Sequence, residues 1–299
     1  MQLATRAFGL RLAPRPTGLA AVFQHRAVAA AAGPEGAKKA ALVIIGDEVL
    51  AGQITDTNTP WLAKLLHSRG VDLVRVSYIP DSPQEIRETV LDSRRRVGPD
   101  GFVFTSGGIG PTHDDVTYEA VADAMGVKLE LHAPTVERMR VSYSARGMEL
   151  NEARLRMATL PTPSEVIFTE GMSARDAWVP LVNCGGVYIL PGIPRLFQAM
   201  VAGCQERFTG PAFHEARLFT RLGESFIAKD LAAVAAKHPA VAIGSYPNTA
   251  PDADSTYIVK LAFASRDPAA LQAALAEARA NLTAALGDIW VDYQPAGGK

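Results

Sequence analysis

The sequence predicts an α/β fold: a first domain built around a mostly parallel sheet over residues 40–208, followed by a smaller ferredoxin-like α+β domain over residues 212–294. Three observations carry this. The short apolar runs at residues 40–45 and 101–104 are continuous rather than alternating, the pattern of strands covered on both faces. Each run ends in polar or glycine-rich residues and then a segment with apolar residues at helical spacing, the order of βα units. After Thr209-Gly210-Pro211 the order becomes strand, helix, two strands, helix, strand, the split βαβ arrangement.

Taken in order, residues 1–34 stand apart. They hold Arg6, Arg11, Arg15 and Arg26 and no acidic residue in an Ala-rich background. Arg-rich, acid-poor leaders of this kind direct import into organelles, so a transit peptide is expected, with a mitochondrial location ahead of a plastid or cytoplasmic one. The first strand, residues 40–45, runs into Gly46-Asp47-Glu48, two carboxylates at a carboxyl end where α/β sheets bind ligands. No clear helix is expected at Asp47, which weakens a capping role for it. Asp56 and Asn58 precede a helix carrying Trp61, Leu62, Leu65 and Leu66, where either could serve as a cap.

The second strand, residues 71–79, ends in Pro80-Asp81-Ser82-Pro83 before a helix over residues 84–96. That helix closes on Arg94-Arg95-Arg96, cations placed to complement its C-terminal dipole. The third strand, residues 101–104, delivers Thr105-Ser106-Gly107-Gly108-Ile109-Gly110-Pro111-Thr112-His113-Asp114-Asp115, with a helix expected to begin near Asp114. Glycines free of Cβ allow backbone N–H groups to approach a phosphate, and a helix N-terminus adds a favourable dipole. A glycine turn that merely joins strand to helix is the plainer alternative. Three strand ends also carry acidic groups beside this loop. Such groups repel phosphate unless a cation lies between, so a divalent ion with oxygen ligands is expected.

Residues 133–159 read as helices with Asn151 at a polar break, and residues 161–186 as mostly turns. Residues 187–190 form a short apolar strand that feeds Pro191-Gly192-Ile193-Pro194 and a helix opened by proline. In the second domain, strands are expected at 216–222, 241–246, 257–264 and 288–293, with helices at 224–237 and 268–286. It holds no dense polar constellation, which points to packing or dimerisation.

Composition excludes several classes. The chain has 48% hydrophobic and 20% charged residues and a net charge of -1, with no basic stripe interleaved with aromatics of the kind nucleic-acid binding needs. Cys184 and Cys204 are the only cysteines, too few and too far apart for a zinc cluster or a disulfide framework. No apolar run reaches the ~18 residues of a membrane span.

Together, Gly46-Asp47-Glu48, Asp56-Thr57-Asn58, the loop Gly107 to Thr112 with Asp114-Asp115-Val116-Thr117 and Glu119, and Leu190-Pro191-Gly192-Ile193-Pro194 resemble the molybdopterin-binding domain family. Within it the chain is most similar to competence-damage-inducible protein A and to the N-terminal domain of eukaryotic FAD synthase. Pro180-Leu181-Val182-Asn183 and Gly223-Glu224-Ser225 look like the FAD synthase version. So does the departure at Thr169-Glu170-Gly171-Met172-Ser173, where bacterial relatives carry Gly-Thr-Ala-Pro-Gly. Neither the deamidase domain of the first nor the FMN-adenylylating domain of the second is expected within these 299 residues.

The resemblance implies a three-layer domain that binds a phosphorylated heterocycle, a nucleotide or a pterin, at the glycine loop, and a homo-oligomer, dimer or trimer. It implies metal-assisted chemistry at Asp81 and Asp115. The expected activity is hydrolysis of a nucleotide pyrophosphate such as FAD or ADP-ribose, with Mg, Mn or Co as the ion. The roles expected are Asp81, Asp114 and Asp115 in catalysis, and Asp47, Asp81 and Asp115 as metal ligands. Ser106, Gly107, Gly108, Gly110, Thr112, Asn58, Asn151 and Gly192 would hold phosphate and nucleotide. The alternatives are molybdopterin adenylyl transfer and a non-catalytic flavin- or nucleotide-binding module.

Overall fold

The computed structural model describes residues 36–249 and 257–293. The leader read as a transit peptide lies outside the described residues.

The chain opens with β1 (Lys38–Ile45), the short α1 (Asp47–Leu50), α2 (Asn58–Ser68), β2 (Val71–Ile79) and α3 (Pro83–Val97). Next come β3 (Phe102–Ser106), α4 (Thr117–Met125), β4 (Lys128–Leu131), α5 (Ala133–Ser144), α6 (Glu152–Arg156) and β5 (Thr159–Thr162). Then follow β6 (Glu165–Ile167), β7 (Leu181–Cys184), β8 (Val187–Leu190) and α7 (Pro194–Gly203).

The main sheet has the order β2-β1-β3-β8-β7-β6. β2, β1, β3 and β8 run parallel, and β7 and β6 add an antiparallel edge. Side chains of β1 alternate between two cores. Ala40, Leu42 and Ile44 face Leu62 and Leu66 of α2 and Phe197 and Met200 of α7. Ala41, Val43 and Ile45 face Ile86 and Val90 of α3 and Tyr118 and Val121 of α4. The continuous apolar run at 40–45 therefore has a simple cause: both faces of a central strand are covered, giving three layers.

Register decides the site. Ile45 pairs with Ile79, Ile44 with Ser106, and Ser106 with Leu190, so four strands end at one level. From β1 the chain steps to β2 on one side and later to β3 on the other, which makes a switch point above the carboxyl ends, where doubly wound sheets place ligands.

The second domain contains β9 (His214–Thr220), α8 (Glu224–Lys237), β10 (Ala242–Pro247), β11 (Val259–Ser265) and α9 (Pro268–Leu286). Its antiparallel sheet has the order β10-β11-β9. The side chains of Val259, Leu261 and Phe263 on β11 pack with Ile227 and Val234 of α8 and with Leu271, Ala274 and Leu282 of α9. This is the ferredoxin-like order of elements, with the last strand shortened. Where a strand at 288–293 was expected, the chain makes one bridge, Thr220 to Trp290, flanked by Arg221 N–H to Ile289 O and Val291 N–H to Phe219 O, both 2.9 Å.

Other boundaries also differ from expectation. A short helix does begin at Asp47, because the Val49 and Leu50 amides fold back on Gly46 O. The helix expected near Asp114 begins at Thr117. Residues 133–159 include the start of β5, which pairs antiparallel with β4; β4 is mostly exposed and charged, so it gave no apolar signal. The stretch 161–186 conceals β6 and β7, whose three- and four-residue lengths are too short for periodicity to register.

Candidate functional site

Above the switch point lies a pocket of about 620 Å³, within the range of small-molecule sites. One wall is made by strand ends. Gly107 has φ +117, and a Cβ there would lie 2.1 Å from Ile45 O, so only glycine lets β3 pass so close to β1. Gly107 N–H donates to Leu190 O at 3.1 Å, and a Cβ on Gly192 would sit 3.4 Å from Gly107 Cα. The two glycine-bearing loops thus touch. From α4, the Thr117 hydroxyl donates to Gly107 O and the Thr117 amide to Gly108 O, each at 2.9 Å, which sets the loop on the start of the helix.

Asn58 joins these loops. It is 3% exposed, and its Nδ2 donates to Ser106 Oγ and to Gly192 O, both at 3.0 Å. A carbonyl only accepts, so Gly192 fixes which way the amide points. Asn58 Oδ1 is then left buried without a hydrogen-bond partner, in a residue that lines the pocket. Such a group is costly unless a donor or cation completes it. The capping role considered for Asn58 belongs to Asp56, whose Oδ1 accepts the Asn58 and Thr59 amides at 2.8 and 3.2 Å.

Among the acidic residues, Asp81 stands at the end of β2 with Oδ2 accepting the Asp47 amide at 2.9 Å. Its Oδ1 lies 3.5 Å from where a Cβ on Gly108 would be. Burial raises the Asp81 carboxyl above the usual range and the charges of Glu48, Asp47 and Asp114 raise it further, against the lowering effect of that amide. Asp114 behaves oppositely: the nearby Thr112 hydroxyl and its own backbone amide, with His113 and Arg156 close by, hold it low.

Asp115 is occupied by the loop itself. Its Oδ1 accepts Gly110 N–H at 2.6 Å, and Oδ2 accepts the Thr112 amide at 2.8 Å and hydroxyl at 2.5 Å.

Asp81, Asp114, Asp115, Ser106, Gly107, Gly108, Gly110, Asn58 and Gly192 all line the pocket. Asp47 and Thr112 do not line it; they act through hydrogen bonds to Asp81 and Asp115. Asn151 stands apart from the pocket, capping α6 with Oδ1 on the Arg154 amide at 3.0 Å.

The carboxylates can be tested against a divalent ion. Among the described residues, no group of three or more His, Cys, Asp or Glu side chains is placed to hold one. Glu48, Asp81 and Asp114 nonetheless line the same pocket, and the charges of Glu48 and Asp114 act on Asp81. That donor set fits a hard cation taking one or two carboxylates and completing its shell with phosphate oxygens and water, the habit of Mg²⁺ rather than of a standing cage.

A second group of lining residues was not anticipated from the sequence. Tyr143 at the end of α5 and Trp178 before β7, with ring centroids 5.9 Å apart, line the pocket with Met157, Val179, Arg146 and Arg175. Trp178 in a turn-rich stretch was the one available signal.

Residues 41–208 match the family described as "Probable molybdopterin binding domain", and residues 212–288 match "FAD synthase, middle domain". A CinA-like protein of Anaeromyxobacter sp. (strain K) is 36% identical over 165 residues, 55% of this chain and 39% of that protein. A probable FAD synthase of Caenorhabditis elegans is 33% identical over 230 residues, 70% of this chain and 44% of that protein. This chain therefore spans less than half the length of either relative. Among solved structures, the protein CinA of unknown function from Thermoplasma acidophilum superposes with TM-score 0.50 at 26% identity, covering 57% of this chain and 99% of that one. Among the described residues, no helix is long and apolar enough to cross a membrane. With the match running over more than half of its length and through every strand-end loop of the pocket, the chain belongs to the molybdopterin-binding domain family.

Proposed function

We propose that the pocket binds a pyrophosphate-linked nucleotide, of the FAD or ADP-ribose type, and hydrolyses that linkage. The observation that carries this is Asp81: a carboxylate with a raised pKa at a strand end, directed by the Asp47 amide and adjacent to the glycine loop. A carboxyl tuned upward in a ligand cleft has the character of a general base.

In this reading, the Gly108 and Ile109 N–H groups and the close approach of the backbone at Gly107 seat one phosphate. Asp81 takes a proton from a water that attacks the phosphorus. The P–O bond of the bridge breaks, and the leaving phosphate departs as a nucleoside or sugar monophosphate. Glu48 and Asp114 would hold a divalent ion, which would supply charge neutralisation and a more acidic water. Asn58 Oδ1 stands ready to accept a donor from the ligand or its hydration shell. Asp115 shapes the loop.

The test is incubation of purified protein with FAD and with ADP-ribose under Mg²⁺, Mn²⁺ or Co²⁺, followed by chromatography for AMP. AMP is expected, and Asp81→Asn abolishes it. The full engagement of Asp115 by Gly110 and Thr112 favours a second reading, a non-catalytic flavin- or nucleotide-binding module. Binding without AMP under any of the three metals selects it. A third arm with ATP and molybdopterin, read by diphosphate release, examines adenylyl transfer. The Arg-rich leader supports mitochondrial import, readable with a fluorescent fusion, and the proposed dimer or trimer is readable by light scattering.

A further inference from the structure

Of the residues lining the pocket, Glu48, Asp81, Asp114 and Asp115 belong to the strand-end loops, whereas Arg146 and Arg175 come from the segments after α5 and before β7, with Asp176 beside Arg175. Both arginines are tied to one residue. Arg146 Nε donates to Ser142 O at 3.0 Å, and Ser142 Oγ donates to Arg175 O at 3.0 Å. Arg146 lies over the Tyr143 ring, 4.3 Å from its centroid. Among the described residues, neither guanidinium forms an ion pair with a carboxylate. The acid next to Arg175 in sequence, Asp176, is held by Arg195 at 2.7 Å and by the Ser173 hydroxyl at 2.6 Å, with the Arg175 charge adding a weaker attraction. Two exposed cations thus line a pocket whose strand-end loops are acidic.

A ligand carrying one phosphate is served by the glycine loop alone. A pyrophosphate carries a second, and the acidic strand-end loops cannot neutralise it without help. Guanidinium groups match phosphate oxygens in charge and geometry. The geometry points to Arg146 and Arg175 as the residues that hold the outer phosphate of a pyrophosphate-linked ligand, whose inner phosphate rests on the glycine loop, so that the pocket selects dinucleotides over mononucleotides. This assignment rests on the pyrophosphate reading of the pocket but does not require turnover.

The test uses the full wild-type chain in EDTA, so that no metal-assisted turnover consumes the ligand, with titration calorimetry of two pairs: FAD against FMN, and ADP-ribose against AMP. The parent is expected to prefer FAD and ADP-ribose. Arg175→Ala, whose side chain braces nothing among the described residues, lowers their affinity about tenfold, the scale of one charge-assisted hydrogen bond, and leaves FMN and AMP unchanged. Adding Arg146→Ala brings the members of each pair to similar affinity, and Arg→Lys at both positions restores part of the preference. Retention of the preference in both alanine variants, or equal weakening of both members of each pair, overturns the assignment alone. A parent that binds neither FAD nor ADP-ribose overturns the pyrophosphate reading, and the assignment with it.

Discussion

Asp115 Oδ1 accepts the Gly110 amide at 2.6 Å while its other oxygen takes two bonds from Thr112, so one carboxylate closes the glycine loop that lines the pocket. Asp115→Asn removes the charge that strengthens these bonds. It is expected to weaken nucleotide binding about tenfold, on the scale of one charge-assisted hydrogen bond, with a smaller effect on global stability. Calorimetric titration checks this. Wild-type affinity with turnover lost would show that the carboxylate acts on the reacting atoms instead of bracing the loop.

Gly107→Ala places a Cβ 2.1 Å from Ile45 O in a backbone at φ +117. Strain of this kind costs roughly 1–3 kcal/mol before any clash is relieved. Urea denaturation is expected to show at least that loss together with weakened binding. Gly98, which has φ +80 but nothing within 4 Å of where a Cβ would stand, serves as the comparison: Gly98→Ala carries the backbone cost alone and leaves binding intact.

Asp81 predicts a pH dependence of definite sign. Its native pKa lies above the ordinary 3.8, so the folded state binds that proton more tightly than the unfolded chain. The stabilisation is full below the unfolded value and is lost as pH rises through the native one. Asp81→Asn is therefore expected to melt progressively higher than wild type as pH rises from the ordinary carboxylate range toward neutrality, while hydrolysis disappears. A melting difference that does not vary with pH would contradict the raised pKa.

Arg266 docks the second domain. Its side chain, 8% exposed, reaches Asp72 Oδ2 at 2.8 Å, Gly70 O at 2.9 Å and Pro211 O, and lies 3.9 Å over the Phe213 ring. Arg266→Ala leaves these acceptors short of a donor, a change on the order of 2 kcal/mol or more. Faster proteolysis near residues 209–212 is expected, with nucleotide affinity unchanged because the pocket lies entirely within the first domain. Loss of affinity would show that the second domain supports the site.

Much of the fold was legible because its signals are local. A central strand must be apolar on both faces, and residues 40–45 and 101–104 say so. The switch to βαββαβ after Pro211 was equally plain, although its last strand shrank to the Thr220–Trp290 bridge. β4 to β7 were not legible. They are short edge or hairpin strands whose stability comes from their neighbours, and Lys128–Leu131 reads as surface.

By itself the sequence determined the wall of the pocket that faces the sheet, since glycines, prolines and acids at strand ends are constrained by backbone geometry within a few residues. Tertiary structure decided the remainder. It brought Asn58 onto Gly192, 134 positions away, turned Asp115 into a loop brace, and carried Tyr143, Arg146, Arg175 and Trp178 into the same pocket as the strand-end acids. No periodicity encodes such meetings, because they depend on how distant segments pack and on which side chain finds a partner first.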